Sequence, residues 1–194
     1  MVWVWLLYGL RMAAVHTPVG IARPQICCKP DRMMGLVPER CGPDDPRLAD
    51  VLALIRTCFE PMEGRLAPPS SVLQLTLTAV GVQAQRHEVW VCGDDPVACV
   101  FLTRQRQHLY VGKLAVAEAY RGMGFARRLI DLAETRAEER GLDGLELQAR
   151  VELTENHDTF AKLGFVKVGR TMHPGYTRPT SITMRKPVSK NLKK

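Results

Sequence analysis

The sequence predicts a mixed α/β (α+β) fold, on three observations. Residues 88–92 and 97–102 are short apolar runs joined by Gly93-Asp94-Asp95-Pro96, which reads as a hairpin and therefore as an antiparallel pair. Residues 109–116 form another strand-like run, followed by a glycine turn, a periodic helix and an apolar run from Gly144 to Arg150. A strand-helix-strand crossover of this kind makes its two strands parallel. Ahead of these, Leu48, Val51, Leu52, Ile55 and Phe59 recur at helical spacing.

In chain order, the first ten residues, MVWVWLLYGL, are apolar. They are too short to span a bilayer and carry no basic n-region of a secretory signal. Residues 1–32 mix Pro18, Pro24 and Pro30 with Cys27-Cys28 and hold no sustained period, so they read as an appendage, disordered or not native. Translation is expected to begin at Met33 or Met34, and an intact mass that included Trp3 would refute this. The domain is expected over 33–187, with a basic tail at 188–194.

Gly35 to Arg40 is a short strand candidate, and Pro43-Asp44-Asp45-Pro46 is a turn whose acids start the first helix. Pro61 ends that helix, and Glu63 to Ser71, with Pro68-Pro69, is a loop. Two short helices fit between Ser70 and Arg86, with Thr78 as a cap for the second. A strand over His108–Ala117, a helix over about 122–140 capped by Gly141, a strand over 144–150 and a short helix over about 155–163 follow. Phe165–Thr171 and Ser181–Lys186 close the sheet as a pair around the loop 173–180.

The turn at Arg121-Gly122-Met123-Gly124-Phe125-Ala126 is the chemical centre of the chain. A helix N-terminus presents unpaired N–H groups and partial positive charge, and so takes anions. Gly122 and Gly124 open the backbone to close approach, and Arg121, Arg127 and Arg128 add charge that can grip phosphate. A glycine pair after a strand can also be a plain turn. The strand before it, the arginines around it and the helix behind it favour the anion site. A dinucleotide site is disfavoured, because no Gly-x-Gly-x-x-Gly is present.

The net charge of +7 belongs to the ends of the 194-residue chain. Residues 185–194 hold five bases and no acid, and residues 1–32 hold four bases against Asp31, so the body between them is slightly acidic. A broad nucleic-acid-binding face is therefore not expected, and the tail Lys190–Lys194 reads as a solvated end. Cys27, Cys28, Cys41, Cys58, Cys92 and Cys99 show no C-x-x-C spacing, which argues against zinc and for a reducing cytoplasm. Cys92 and Cys99 are expected as buried thiols.

Leu114-Ala115-Val116 followed by Arg121-x-x-Gly124-x-Ala126 at a helix start resembles the acetyl-CoA signature of the GCN5-related N-acetyltransferases (GNAT). Phe160-Ala-Lys-Leu-Gly164-Phe165 is similar to that family's closing helix and Leu-Gly-Phe turn. The resemblance covers about residues 36–186. It implies a mostly antiparallel central sheet with helices on both faces, and a splayed parallel strand pair that holds the coenzyme. It implies acetyl-CoA as cosubstrate, no metal, a small-molecule or peptide amine as acceptor, no membrane partner, and leaves homodimerisation open. Leu114, Ala115 and Val116 would hold the pantetheine by their backbone, and Gly122, Met123, Gly124, Phe125, Ala126 and Arg127 would complete the diphosphate turn with Arg121. The loop with Glu63, Arg65 and Pro68–Ser71 would lie over the acceptor entrance.

Acetyl transfer needs a neutral amine, and an ammonium of pKa near 10.4 costs about 4.6 kcal/mol to deprotonate at pH 7. It also needs a proton for the leaving thiolate. The family's usual tyrosine acid falls at Phe160, which has no proton to give. Tyr176 and then His173 are the substitutes, ahead of Tyr110 and Glu118, although His-Pro-Gly-Tyr is also a good turn. The family's asparagine falls at Leu153, and Asn156 stands in for it or caps the helix. His157 and Asp158 are expected as exposed first-turn residues. No cysteine is expected in the cleft segments, which disfavours a covalent enzyme intermediate. Phe160 keeps a second reading open, a non-catalytic acyl-CoA-binding domain.

Overall fold

The computed structural model describes residues 36–188, so the expectations for the amino-terminal appendage and the basic tail lie outside the described residues. Seven strands form one sheet: β1 (Pro38–Cys41), β2 (Glu88–Cys92), β3 (Ala98–Arg104), β4 (His108–Val116), β5 (Gly144–Arg150), β6 (Val166–Thr171) and β7 (Ser181–Pro187). Their spatial order is β1-β2-β3-β4-β5-β7-β6. Every neighbouring pair is antiparallel except β4 with β5, as the crossover requires.

Helices α1 (Leu48–Phe59) and α2 (Leu77–Arg86) cover one face. Helices α3 (Phe125–Glu139) and α4 (Thr154–Lys162) cover the other. Leu48, Val51, Leu52, Ile55 and Phe59 are all buried, so the spacing identified the inner face of α1. Asp45 sits before that helix, accepting the Arg47 backbone N–H at 2.9 Å and pairing with the Arg47 guanidinium. The cap of α2 is Thr76, not Thr78: Thr76 is extended and its Oγ1 accepts from Ala79 N–H at 3.2 Å, while Thr78 already lies inside the helix. A cap has to stand before the first helical residue, with non-helical dihedrals.

Helix α3 starts at Phe125, later than 122, because Gly122 (φ +77°) and Gly124 (φ +84°) hold dihedrals that no right-handed helix contains. It ends as the sequence predicts. Gly141 takes φ +64°, Gly141 N–H donates to Glu138 O, and Leu142 N–H donates to Ala137 O, the Schellman pattern. The outer side of α3 is tied to β2 by Glu88, a wholly buried carboxylate that binds Arg136 at 3.0 Å, Arg140, and the Trp90 indole N–H at 2.7 Å. Gly144 starts β5 where a Cβ would fall 2.3 Å from Lys186 O, so only glycine lets β7 lie this close.

Candidate active site

Strands β4 and β5 pair only through His108–Gly144, Leu109–Leu145 and Tyr110–Glu146. Beyond Tyr110, β4 runs on to Val116 and β5 to Arg150 without pairing to each other, so their facing edges splay into a gap. Each strand keeps its other neighbour, β3 and β7 respectively. Ala117 N–H donates to Val97 O, and the alternation of an antiparallel ladder then turns the backbone groups of Val116, and of Leu114 before it, towards the gap.

At the end of the gap, a short 3₁₀ turn (Glu118–Tyr120) leads through Arg121 into the two left-handed glycines and the start of α3. A Cβ on Gly122 or Gly124 would meet nothing within 4 Å. These glycines are therefore needed for their dihedrals, and the space beside them is open. Gly124 is the N-cap and offers no side chain, so the first amides of α3, from Phe125 to Arg127, have no side-chain cap. Phe125 and Ala126 are buried, Phe125 edge-on to Tyr120 at 6.0 Å, while Met123 is exposed. The arginines are already placed. Arg121 Nε donates to Val116 O at 3.4 Å, Arg127 Nη2 donates to Lys162 O at the end of α4, and Arg128 lies over the Phe125 ring.

Asn156, on the inner face of α4, is wholly buried, and neither its amide oxygen nor its nitrogen has a hydrogen-bond partner among the described residues. It is not a cap, for the N-cap position is Leu153 and no side chain closes that turn. Phe160 is also wholly buried, edge-on to Phe165 at 5.7 Å. Asp158 is exposed as expected, but His157 is half-buried, its Nε2 2.8 Å from Arg150 O.

His173 and Tyr176 are brought together, their rings 6.5 Å apart in the loop between β6 and β7. The His173 imidazole is hydrogen-bonded to Thr180 Oγ1, and burial followed by the nearby Arg150 charge lowers its pKa below the ordinary value. The imidazole therefore favours its uncharged form at neutral pH. Tyr110 lies beside Glu146, and burial, with that carboxylate, pushes its phenol well above the usual range. Glu118 is exposed on the 3₁₀ turn.

Two residues that the sequence reading left out line this region. Lys113 occupies a bulge in β4, signalled by Gly112 inside an apolar strand and by the shift from Leu109 and Val111 to Leu114 and Val116. Arg150 is wholly buried at the end of β5, where it pairs with Glu152 at 3.3 Å. The alternation Glu146, Gln148, Arg150 marks this polar face. Cys58 lies outside the cleft segments, buried in the core on α1, with its Sγ 3.4 Å from Val116 O. Burial raises the Cys58 pKa, so it is a thiol and not a thiolate at neutral pH. Cys41, Cys92 and Cys99 are likewise free and buried.

The loop after α1 covers the gap from the α1 side. Arg65 pairs with Glu155, the Ala67 backbone N–H donates to Glu152, and Ser71 Oγ meets Lys113 Nζ at 3.0 Å. A separate cavity of about 290 Å³ lies beside His157, Lys167 and Arg170, away from the glycine turn.

Comparison with known proteins agrees with this architecture. Residues 48–165, more than half of the chain, match the model of the Acetyltransferase (GNAT) family. N-alpha-acetyltransferase 30 of Saccharomyces cerevisiae is 31% identical over 80 residues, 41% of this chain and 43% of that protein, so the match spans less than half of the curated relative. An acetyltransferase structure from Streptococcus agalactiae superposes with a TM-score of 0.63 at 17% identity, covering 79% of this chain and 99% of that one. A chain of the NatC complex bound to Gag peptide and CoA does so with a TM-score of 0.56 at 18% identity, also over 79% and 99%. The fold, the order of its elements and the family match lead to one conclusion: the chain belongs to the GNAT acetyltransferase family.

Proposed function

We propose that this protein is an acetyl-CoA-dependent N-acetyltransferase that passes the acetyl group directly to an amine within a ternary complex. The observation that carries the reading is the splayed β4–β5 gap ending at an open glycine turn and an uncapped helix start. Acetyl-CoA would supply the activated thioester. Gly122–Ala126 and the first amides of α3 would hold its diphosphate, with the Arg121 charge beside them. The backbone groups of Leu114 and Val116 would pair with the pantetheine as a strand would, with Ala115 between them turned to β3, and Asn156 would gain from the pantetheine amide the partner it lacks. One N–H of that edge, aimed at the thioester oxygen, would be worth about 2.7–4 kcal/mol to the transition state. Arg127, engaged with Lys162 O, would anchor the turn to α4 more than touch the ligand.

His173 would take the acceptor's proton and Tyr176 would return one to the leaving thiolate. Glu63, Arg65 and Pro68–Ser71 would border the acceptor. The acceptor itself is a small-molecule amine or a peptide amine; the NatC structure, which holds a peptide, supports the second. The domain runs from 33 to 187 and needs no metal. A cytoplasmic location accords with the free buried cysteines, and among the described residues no helix is long and apolar enough to cross a membrane.

Calorimetric binding of CoA, combined with thiol release over a panel of amines and peptides, tests this. Release with any amine supports transfer, and loss of it in His173→Ala and Tyr176→Phe assigns the proton carriers. The second reading, a non-catalytic acyl-CoA-binding domain, rests on Phe160 packed in the core. Tight binding without release for every amine would favour it.

A further inference from the structure

Lys113 takes no part in the reaction proposed above. In an unbroken strand it would follow Leu109 and Val111 onto the apolar α3 face. The register of β4 on β3 slips between Cys99 and Phe101, and Lys113 takes φ +49° there, which few residues other than glycine adopt. The slip gives the apolar face to Leu114 and Val116 and sends the lysine to the α1 side. Its Nζ lies 3.0 Å from Ser71 Oγ and 5.9 Å from the centre of the Phe59 ring, under the loop that covers the gap. Its Cα adjoins Leu114, on the strand edge assigned to the thioester. Strain of this kind in a strand centre concentrates at functional sites.

We infer that Lys113 is itself an acetyl acceptor: when no external amine is present, its Nζ takes the acetyl group from a thioester held in the β4–β5 gap. This rests on the proposed coenzyme site. The neutral Nζ attacks the thioester carbonyl carbon, the C–N bond forms and the C–S bond breaks. The electron pair leaves on sulfur, and the proton shed by nitrogen ends on that sulfur. The products are an acetyl-lysine amide and free CoA thiol. Burial supports the step by lowering the Lys113 pKa to about 8. At pH 7.5 about one molecule in four then has a neutral amine, against roughly one in a thousand for an exposed lysine. A nucleophile carried one residue from the edge that would hold the thioester also gains the large effective concentration of an intramolecular reaction. Acetylation removes the charge that lies over Phe59.

The test uses the full chain with acetyl-CoA and no amine, followed by intact mass and peptide mapping, beside CoA calorimetry on the same preparation. The expected result is one acetyl group on Lys113, formed at a first-order rate that dilution of the protein leaves unchanged, and absent in Lys113→Arg although CoA still binds. CoA binding with no acetylation, or with acetyl groups scattered over surface lysines, overturns this inference and leaves the coenzyme site standing. Failure to bind CoA overturns both.

Discussion

Arg150 and Ser181 stand opposite each other across β5 and β7, both wholly buried, and Arg150 Nη1 and Ser181 Oγ have no hydrogen-bond partner among the described residues. Buried polar atoms left unsatisfied usually cost about 1–3 kcal/mol each, which marks this end of the gap as shaped for something other than stability.

Ser181→Ala removes one such atom without disturbing the strand. Urea unfolding is expected to give an unchanged or higher midpoint, with a gain of up to about 1 kcal/mol. A loss above that size would mean that the hydroxyl has a partner in solution.

Arg150→Met removes a charge that lowers the His173 pKa. The imidazole pKa, followed by NMR titration, should rise towards the ordinary histidine value, and the acid limb of a pH-rate profile should move to higher pH with it. An unmoved imidazole would show that burial alone sets its pKa.

Glu88→Ala removes the buried carboxylate shared by Arg136, Arg140 and Trp90, while Arg136 keeps Glu139 and both guanidinium groups still reach solvent. Hydrogen bonds to a charged group are worth about 1.5–3 kcal/mol, so thermal and urea unfolding should both report a loss of that order.

Gly124→Ala and Gly124→Glu separate folding from binding. Both place a Cβ in open space at φ +84°, a left-handed dihedral that costs about 1–2 kcal/mol. CoA affinity should fall moderately in the alanine variant and beyond detection in the glutamate variant, where a carboxylate would occupy the proposed diphosphate site. Equal affinity in all three proteins, measured calorimetrically, would remove the turn from the coenzyme site.

Lys113→Met tests the cost of burying the ammonium. The folded-state pKa, about 8, lies below the unfolded value of 10.5, so the native state is penalised in full below pH 8 and the penalty fades as pH rises towards 10.5. The variant should be more stable than the parent by up to about 3 kcal/mol at pH 7, with the difference closing by pH 10.5. A constant difference across that range would show that the ammonium is solvated in the native state.

Most elements were legible because each followed a local rule. The inner face of α1 showed in its spacing, Gly141 closed α3 as a cap should, and β5 began at Gly144 and ended at Arg150 as expected. What escaped depended on tertiary contact. The choice of Thr76 over Thr78 as cap was set by where α2 begins, and His157 became half-buried because Arg150 O lay within reach. Cys58 looked remote in sequence, yet α1 carries it to Val116. The bulge at Lys113 was visible only as a break in alternation, and its meaning depended on Phe59 and Ser71, more than 40 residues away.

The gap between β4 and β5 exposes main chain, and main chain is the same whatever the residue. A ligand held there places little demand on the side chains of either strand, which are free to drift so long as they stay apolar. Only the turn, where dihedrals exclude most residues, has to keep its spelling. Chains that share as little as 17% identity can therefore keep one architecture.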